Sequence, residues 1–141
     1  MRSLSNAEIR QFLDEDGHTA KLATVAAGGH PHVVPVWYIV DGDEVVVTIM
    51  STSAKGRHLA RDPRVALTVD DERPPFAFVA LRGVATLLRD PPDLLEWTTR
   101  IAARYVPADD VARLGARFAE IDDMIVRIRI TRAIGQAEVT A

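Results

Sequence analysis

Hydrophobic and polar positions along this chain change period several times, and each change marks an element. Ile9, Phe12 and Leu13 follow at helical spacing behind Ser5 and Glu8, which fit a Ser-x-x-Glu capping box, so a short helix is expected over about 6–15, closed by Gly17. The stretch 19–27 and the run His32–Val40 are rich in Val, Ile, Trp and Tyr and flank Gly28-Gly29, which predicts a hairpin. A second turn at Asp41-Gly42-Asp43 leads into Val45–Met50, so three strands should meander. Ser51, Thr52 and Ser53 are good N-caps for a short helix ending before Asp62-Pro63, because the proline disfavours helix at the residue before it. Val65–Asp70 alternates as a strand, 71–75 is a loop, and Phe76–Leu88 is a long strand interrupted at Gly83, where a bulge or a close approach is expected. Asp90-Pro91-Pro92-Asp93 has the form of a helix start. Leu94, Trp97, Thr98, Ile101, Ala102 and Tyr105 then give a helix over about 92–105 one apolar face. A further helical piece covers about 109–120 beyond Pro107, and Met124, Val126, Ile128 and Ile130 alternate with Ile125, Arg127, Arg129 and Thr131 as a last strand with one buried and one largely solvated face.

Six strands in hairpin order with no parallel βαβ repeat disfavour a doubly wound nucleotide fold. They predict a mainly β (α+β) architecture, an antiparallel barrel with short flanking helices, because closure removes the edges that six strands would otherwise expose. At 141 residues, with 48% apolar and 26% charged residues, residues 1–141 are expected to form one domain. The net charge of −3 excludes a globally basic nucleic-acid binder, and the absence of cysteine excludes disulfides, thiolate metal sites and a cysteine nucleophile. No window approaches the roughly 18 apolar residues of a membrane helix, and no leader is visible, so a cytoplasmic protein with no membrane partner is expected.

The most informative chemistry lies in Ser51-Thr52-Ser53-Ala54-Lys55-Gly56-Arg57-His58-Leu59. A strand ending in hydroxyl residues at a helix start, with Lys55 and Arg57 in the first turn, brings together backbone N–H donors, hydroxyls and cations, the parts of a phosphate site. The same residues also serve as a plain cap beside a solvated face. Against that plainer role, cations in the first turn oppose the helix macrodipole, a mismatch that an anion would repair. Trp37 and Tyr38 offer a wall for a planar ligand, although buried packing is the commoner fate of such residues. His30 and His32 share a strand face but have no third ligand, so no metal is expected. No Ser-His-Asp order or nucleophile elbow is present, and the catalytic residues stay unassigned.

The run Gly29–Tyr38, then Asp41-Gly42-Asp43, then Ser53–Val65, resembles the pyridoxamine 5′-phosphate oxidase-like split-barrel family. It is most similar to the small single-domain members that use the deazaflavin coenzyme F420 or FMN. The likeness is clear over about residues 5–90 and looser over Arg127–Gly135. It implies a six-stranded split barrel and a homodimer with the cofactor cleft between subunits. It also implies a phosphate site with its lysine at Lys55 and its hydroxyl at Ser53, and a ring lying against Val36, Trp37, Thr48 and Ile49. Two cations of the family's FMN-dependent oxidases fall on Ala54 and Val34 here, which leaves Arg57 as the expected substitute. The function so implied is hydride transfer between reduced F420 and a small planar or conjugated acceptor. The alternatives are an FMN-dependent oxidoreductase on the same scaffold and a non-catalytic binder of a flavin, deazaflavin or haem-like ligand, since a fold does not fix its function. F420 is expected over FMN, because its additional carboxylates suit cations spread over Arg57, Arg61 and Arg64 better than a tight phosphate clamp.

Overall fold

Ser5 caps the first helix as its sequence requires. Its side chain accepts from the Glu8 N–H at 3.2 Å, and the Glu8 carboxylate accepts from the Ser5 N–H at 3.1 Å. The computed structural model describes all 141 residues. In chain order they form β1 (Arg2–Ser3), α1 (Asn6–Asp14), β2 (Ala20–Val25), β3 (Pro31–Val36), β4 (Ile39–Asp41) and β5 (Glu44–Ile49). There follow α2 (Ala54–Arg61), β6 (Arg64–Asp71), β7 (Ala77–Arg89), α3 (Leu94–Ala102), α4 (Ala108–Ile121) and β8 (Met124–Ala137).

All pairings are antiparallel, in the order β3-β2-β6-β7-β8-β5-β4, with the two-residue β1 added to the end of β8. The predicted strand His32–Val40 is therefore two strands. Its first half pairs with β2, its second half with β5, and the chain breaks from the ladder at Trp37-Tyr38. That break closes the sheet. The three residue steps from Val36 to Ile39 reach at most about 11 Å. Six inter-strand spacings in a flat sheet would separate the same strands by about 29 Å. The ends of the order can meet only if the sheet curls into a barrel, so the six strands read from sequence become eight with the same closed architecture.

The barrel interior holds Leu22, Tyr38, Val45, Val47, Leu67, Val79, Met124, Val126 and Ile128, each at most 2% exposed. Gly83 sits where the β7–β8 register shifts, and a Cβ there would lie 2.6 Å from the Ile128 side chain and 2.8 Å from the Arg129 carbonyl oxygen. The interruption expected at Gly83 is thus both a bulge and a close approach. At one end β5 and β8 are buried on both faces, because Val46 and Ile125 pack under Trp97 of α3. This removes the solvated character expected for Ile125. The start of α3 also differs from the sequence reading. Asp90 adopts a positive φ of 45° in a turn and Asp93 is the N-cap, its carboxylate accepting from the Trp97 indole N–H at 3.1 Å. β8 runs six residues past its expected end at Thr131, because β7 is long enough to pair with it as far as Gln136.

α1 has no basic residue in its last turn, and Arg104 from beyond α3 supplies the missing charge. Its guanidinium donates to the carbonyls of Leu13, Asp14 and Glu15 at 3.1–3.2 Å and lies 4.8 Å from the centre of the Tyr38 ring. No helix is long and apolar enough to cross a membrane.

Candidate functional site

The segment between β5 and β6 is held in place from several sides. Ser53 is the N-cap of α2: its hydroxyl accepts from the Gly56 N–H at 3.2 Å and donates to the Met50 carbonyl at 2.7 Å. Gly56 rests directly on the preceding loop, where a Cβ would lie 2.5 Å from the Met50 oxygen and 2.7 Å from that of Ser51. The Ser51 N–H and hydroxyl both donate to the Asp123 carboxylate, which those bonds hold below its ordinary pKa. Farther along α2, Leu59 is buried in the barrel core and His58 Nδ1 lies 2.9 Å from the Thr24 hydroxyl. With this seat fixed, Lys55 faces a cleft of about 410 Å³.

The cleft runs from the end of β3 to the α3–α4 hairpin. Pro35, Val36 and Trp37 form one wall, Ile101, Phe118 and Ile121 another, and Thr48, Lys55 and Asp122 bring polar groups to it. Trp37 stacks on Tyr105 with ring centres 4.7 Å apart and an interplanar angle of 10°, and meets Phe118 edge-on at 5.3 Å. The Tyr105 hydroxyl donates to the His18 carbonyl at 2.7 Å and accepts from the Tyr38 N–H at 3.2 Å, so the indole rests on a fixed support.

Of the residues singled out from the sequence, the structure brings Val36, Trp37, Thr48 and Lys55 together at this cleft. Ile49 instead points into the barrel core at 2% exposure, and its carbonyl accepts from the Asp123 N–H at 3.2 Å. Ser53 does not line the cleft, because its hydroxyl is engaged in capping. Arg57 lies outside it on an exposed surface, one guanidinium nitrogen donating to the Thr52 carbonyl at 2.6 Å. Arg64 forks onto Asp62 at 2.7–3.0 Å, and Arg61 donates to the Val25 carbonyl. Tyr38 is fully buried, its hydroxyl donating to the Leu13 carbonyl at 2.7 Å, so burial pushes that hydroxyl's pKa up and the ring is no ligand wall.

Asp122 was not foreseen. It caps the C-terminus of α4, and its carboxylate accepts from the Thr48 hydroxyl at 2.8 Å. Burial raises its pKa above the ordinary carboxylate value, and Asp123 adds to this, while the Thr48 hydrogen bond and Lys55 pull it back. One signal in the sequence did point there: Asp122-Asp123 follow a helix with no basic residue in its last turn, the unfavourable end of the macrodipole for an acid.

The profile of the family described as Pyridoxamine 5′-phosphate oxidase matches residues 5–134. The chain belongs to this family. Among curated proteins, this family member is similar to a 5a,11a-dehydrotetracycline/5a,11a-dehydrooxytetracycline reductase of Streptomyces rimosus subsp. rimosus. The two are 44% identical over 64 residues, which cover 43% of this chain and 44% of that reductase. The matched stretch therefore spans less than half of the curated relative. Among solved structures, a conserved hypothetical protein from Mycobacterium tuberculosis superposes with a TM-score of 0.81 at 26% identity, over 98% of this chain and 89% of that one. An F420 reductase superposes with a TM-score of 0.66 at 26% identity, over 86% of this chain and 92% of that one.

Proposed function

We propose that this pyridoxamine 5′-phosphate oxidase family member is an F420-dependent oxidoreductase that passes a hydride between the reduced deazaflavin and a small planar or conjugated acceptor. The observation that carries this reading is the placement of Lys55. It is one of two lysines in the chain. Lys21 is paired with Asp70 at 2.6 Å, whereas Lys55 forms no ion pair and faces a cleft walled by Trp37, Val36, Ile101 and Phe118. A free ammonium beside an apolar, aromatic wall is a donor set that fits a planar ring carrying a phosphate. The likeness to an F420 reductase and to a 5a,11a-dehydrotetracycline/5a,11a-dehydrooxytetracycline reductase supports the same reading. F420 is favoured over FMN because Ala54 and Val34 stand where the resemblance implies two cations in the family's FMN-dependent oxidases.

When bound, the deazaflavin supplies the hydride. The residues of this chain then have little covalent chemistry to perform. Lys55 would attract and orient the phosphate, Val36 and Trp37 would offer a wall to the ring, and Ile101 and Phe118 would help to exclude water from the cleft. Thr48 holds Asp122 in the same cleft. FMN would occupy the same features.

The test is to mix purified protein with F420, follow binding by the change in coenzyme absorbance, and then offer the reduced complex a panel of quinones, nitroarenes and activated alkenes. Oxidation of the bound coenzyme by members of the panel is the expected result. Binding without turnover by any acceptor would make the protein a coenzyme carrier, and no binding of either F420 or FMN would overturn the reading altogether.

A further inference from the structure

The cleft that holds Lys55 also holds a carboxyl group, that of Asp122, which forms no ion pair and feels Lys55 only at longer range. Asp122 lies at the junction of α4 and β8, half-buried, with Thr48 of β5 as its hydrogen-bond donor at 2.8 Å. Around it, β5 contributes the neutral Thr48 and α2 contributes Lys55. The next residue, Asp123, is turned away to the Ser51 N–H and hydroxyl. Pro35 and Val36 of β3, Trp37 just beyond it, and Thr98, Ile101 and Phe118 of α3 and α4 also line the cleft, and none of them carries charge. Asp122 and Lys55 line the same cleft without forming an ion pair, so the charge of a ligand that enters it acts on both.

From this placement we propose that Asp122 is a proton-coupled specificity residue. An anionic ligand held by Lys55 enters the cleft together with one proton taken up on the Asp122 carboxyl. The inference rests on the proposed binding of a phosphorylated planar coenzyme and deepens it. A ligand phosphate withdraws from Asp122 part of the attraction of Lys55 and places a like charge in the same poorly solvated space. Both effects favour the neutral carboxyl. Burial already raises the pKa of Asp122, so the group starts nearer to protonation than an ordinary surface carboxyl. By linkage, a ligand that raises the pKa of a group binds more tightly when that group is protonated. Affinity for anions therefore falls as pH rises through the titration of Asp122, by up to about tenfold per pH unit for one coupled proton. A ligand with no negative charge near Lys55 would not show the effect. The cleft thereby discriminates by charge as well as by shape.

The experiment uses FMN and F420 as probes against the full-length wild-type protein and its Asp122→Asn and Thr48→Val variants, with dissociation constants measured by fluorescence from acid to mildly alkaline pH. Asparagine keeps an oxygen that can accept from Thr48 and removes the titration, so its ratio to wild type cancels the ionisation of the ligand phosphate itself. The expected result is that Asp122→Asn binds as wild type does at the acid end and more tightly at the alkaline end. Thr48→Val removes the hydrogen bond that favours the ionised carboxyl, so the wild-type fall in affinity should move to higher pH. A residue that merely joins α4 to β5 would not move that midpoint. Calorimetry in buffers of different ionisation enthalpy should show more proton uptake on binding by the wild type than by Asp122→Asn at the same pH, the difference being the proton on Asp122. A ratio of dissociation constants that stays constant across pH, with binding intact, overturns the role of Asp122 alone. If neither probe binds any of the three proteins, the coenzyme reading fails and this inference fails with it.

Discussion

Lys55 and Asp122 differ in how readily the sequence discloses them. Lys55 stands beside hydroxyls at a helix start, a local pattern with a chemical meaning. Asp122 lies 67 positions later and acquires its place only when β8 pairs with β5, setting Ile49 opposite Met124. No local periodicity encodes that meeting. Lys55→Ala should leave the fold intact and weaken F420 or FMN binding by roughly ten- to a hundredfold, the effect of losing one charge-assisted contact of about 1.5–3 kcal/mol. Equilibrium titration of the folded variant checks this. Asp122 also affects stability. Its folded pKa is raised, so its contribution is most favourable below the unfolded value and is lost as pH rises through the folded value. Asp122→Asn should accordingly raise the melting temperature at neutral pH, with the gain disappearing in acid. Thermal denaturation at several pH values measures both.

At the scale of elements, the helices and most strands are legible because capping boxes, turn residues and alternation are local signals. The capping box at Ser5 and Glu8 and the bulge at Gly83 are examples. The break at Trp37-Tyr38 is not legible, because an uninterrupted apolar and aromatic run satisfies strand propensity along its whole length. What divides it is the tertiary demand that one half join β2 and the other β5. The seat of α2 is the element on which the site depends. Its cap at Ser53 was legible, whereas the contact of Gly56 with the Met50 and Ser51 carbonyls needed the packed structure. Gly56→Ala should push α2 off this seat. It is expected to cost about 1–3 kcal/mol of stability, as overpacking does, and to weaken coenzyme binding because Lys55 moves with the helix. Chemical denaturation and a coenzyme titration of the same variant report the two effects separately.

For the whole molecule, the two-residue step from β3 to β4 turns an open sheet into a barrel and places Trp37, at the step, beside Lys55 on the cleft. The cleft of about 410 Å³ is wide enough for part of a coenzyme, and a second subunit is proposed to cover the remainder. Apolar side chains left on the surface, among them Val33 at 63% and Ile134 at 49% exposure, supply material for such a contact. Analytical ultracentrifugation should therefore find a dimer at micromolar concentration, and a monomer there would remove the shared cleft. The proposed function requires that this cleft take a phosphorylated deazaflavin through the charge of Lys55. The most direct measurement is a titration of the purified protein with F420 and with FMN at low and at high ionic strength. F420 should bind more tightly than FMN, with F420 affinity falling as salt rises because part of the attraction acts between solvent-accessible charges. FMN binding more tightly than F420, or F420 affinity indifferent to salt, would contradict it.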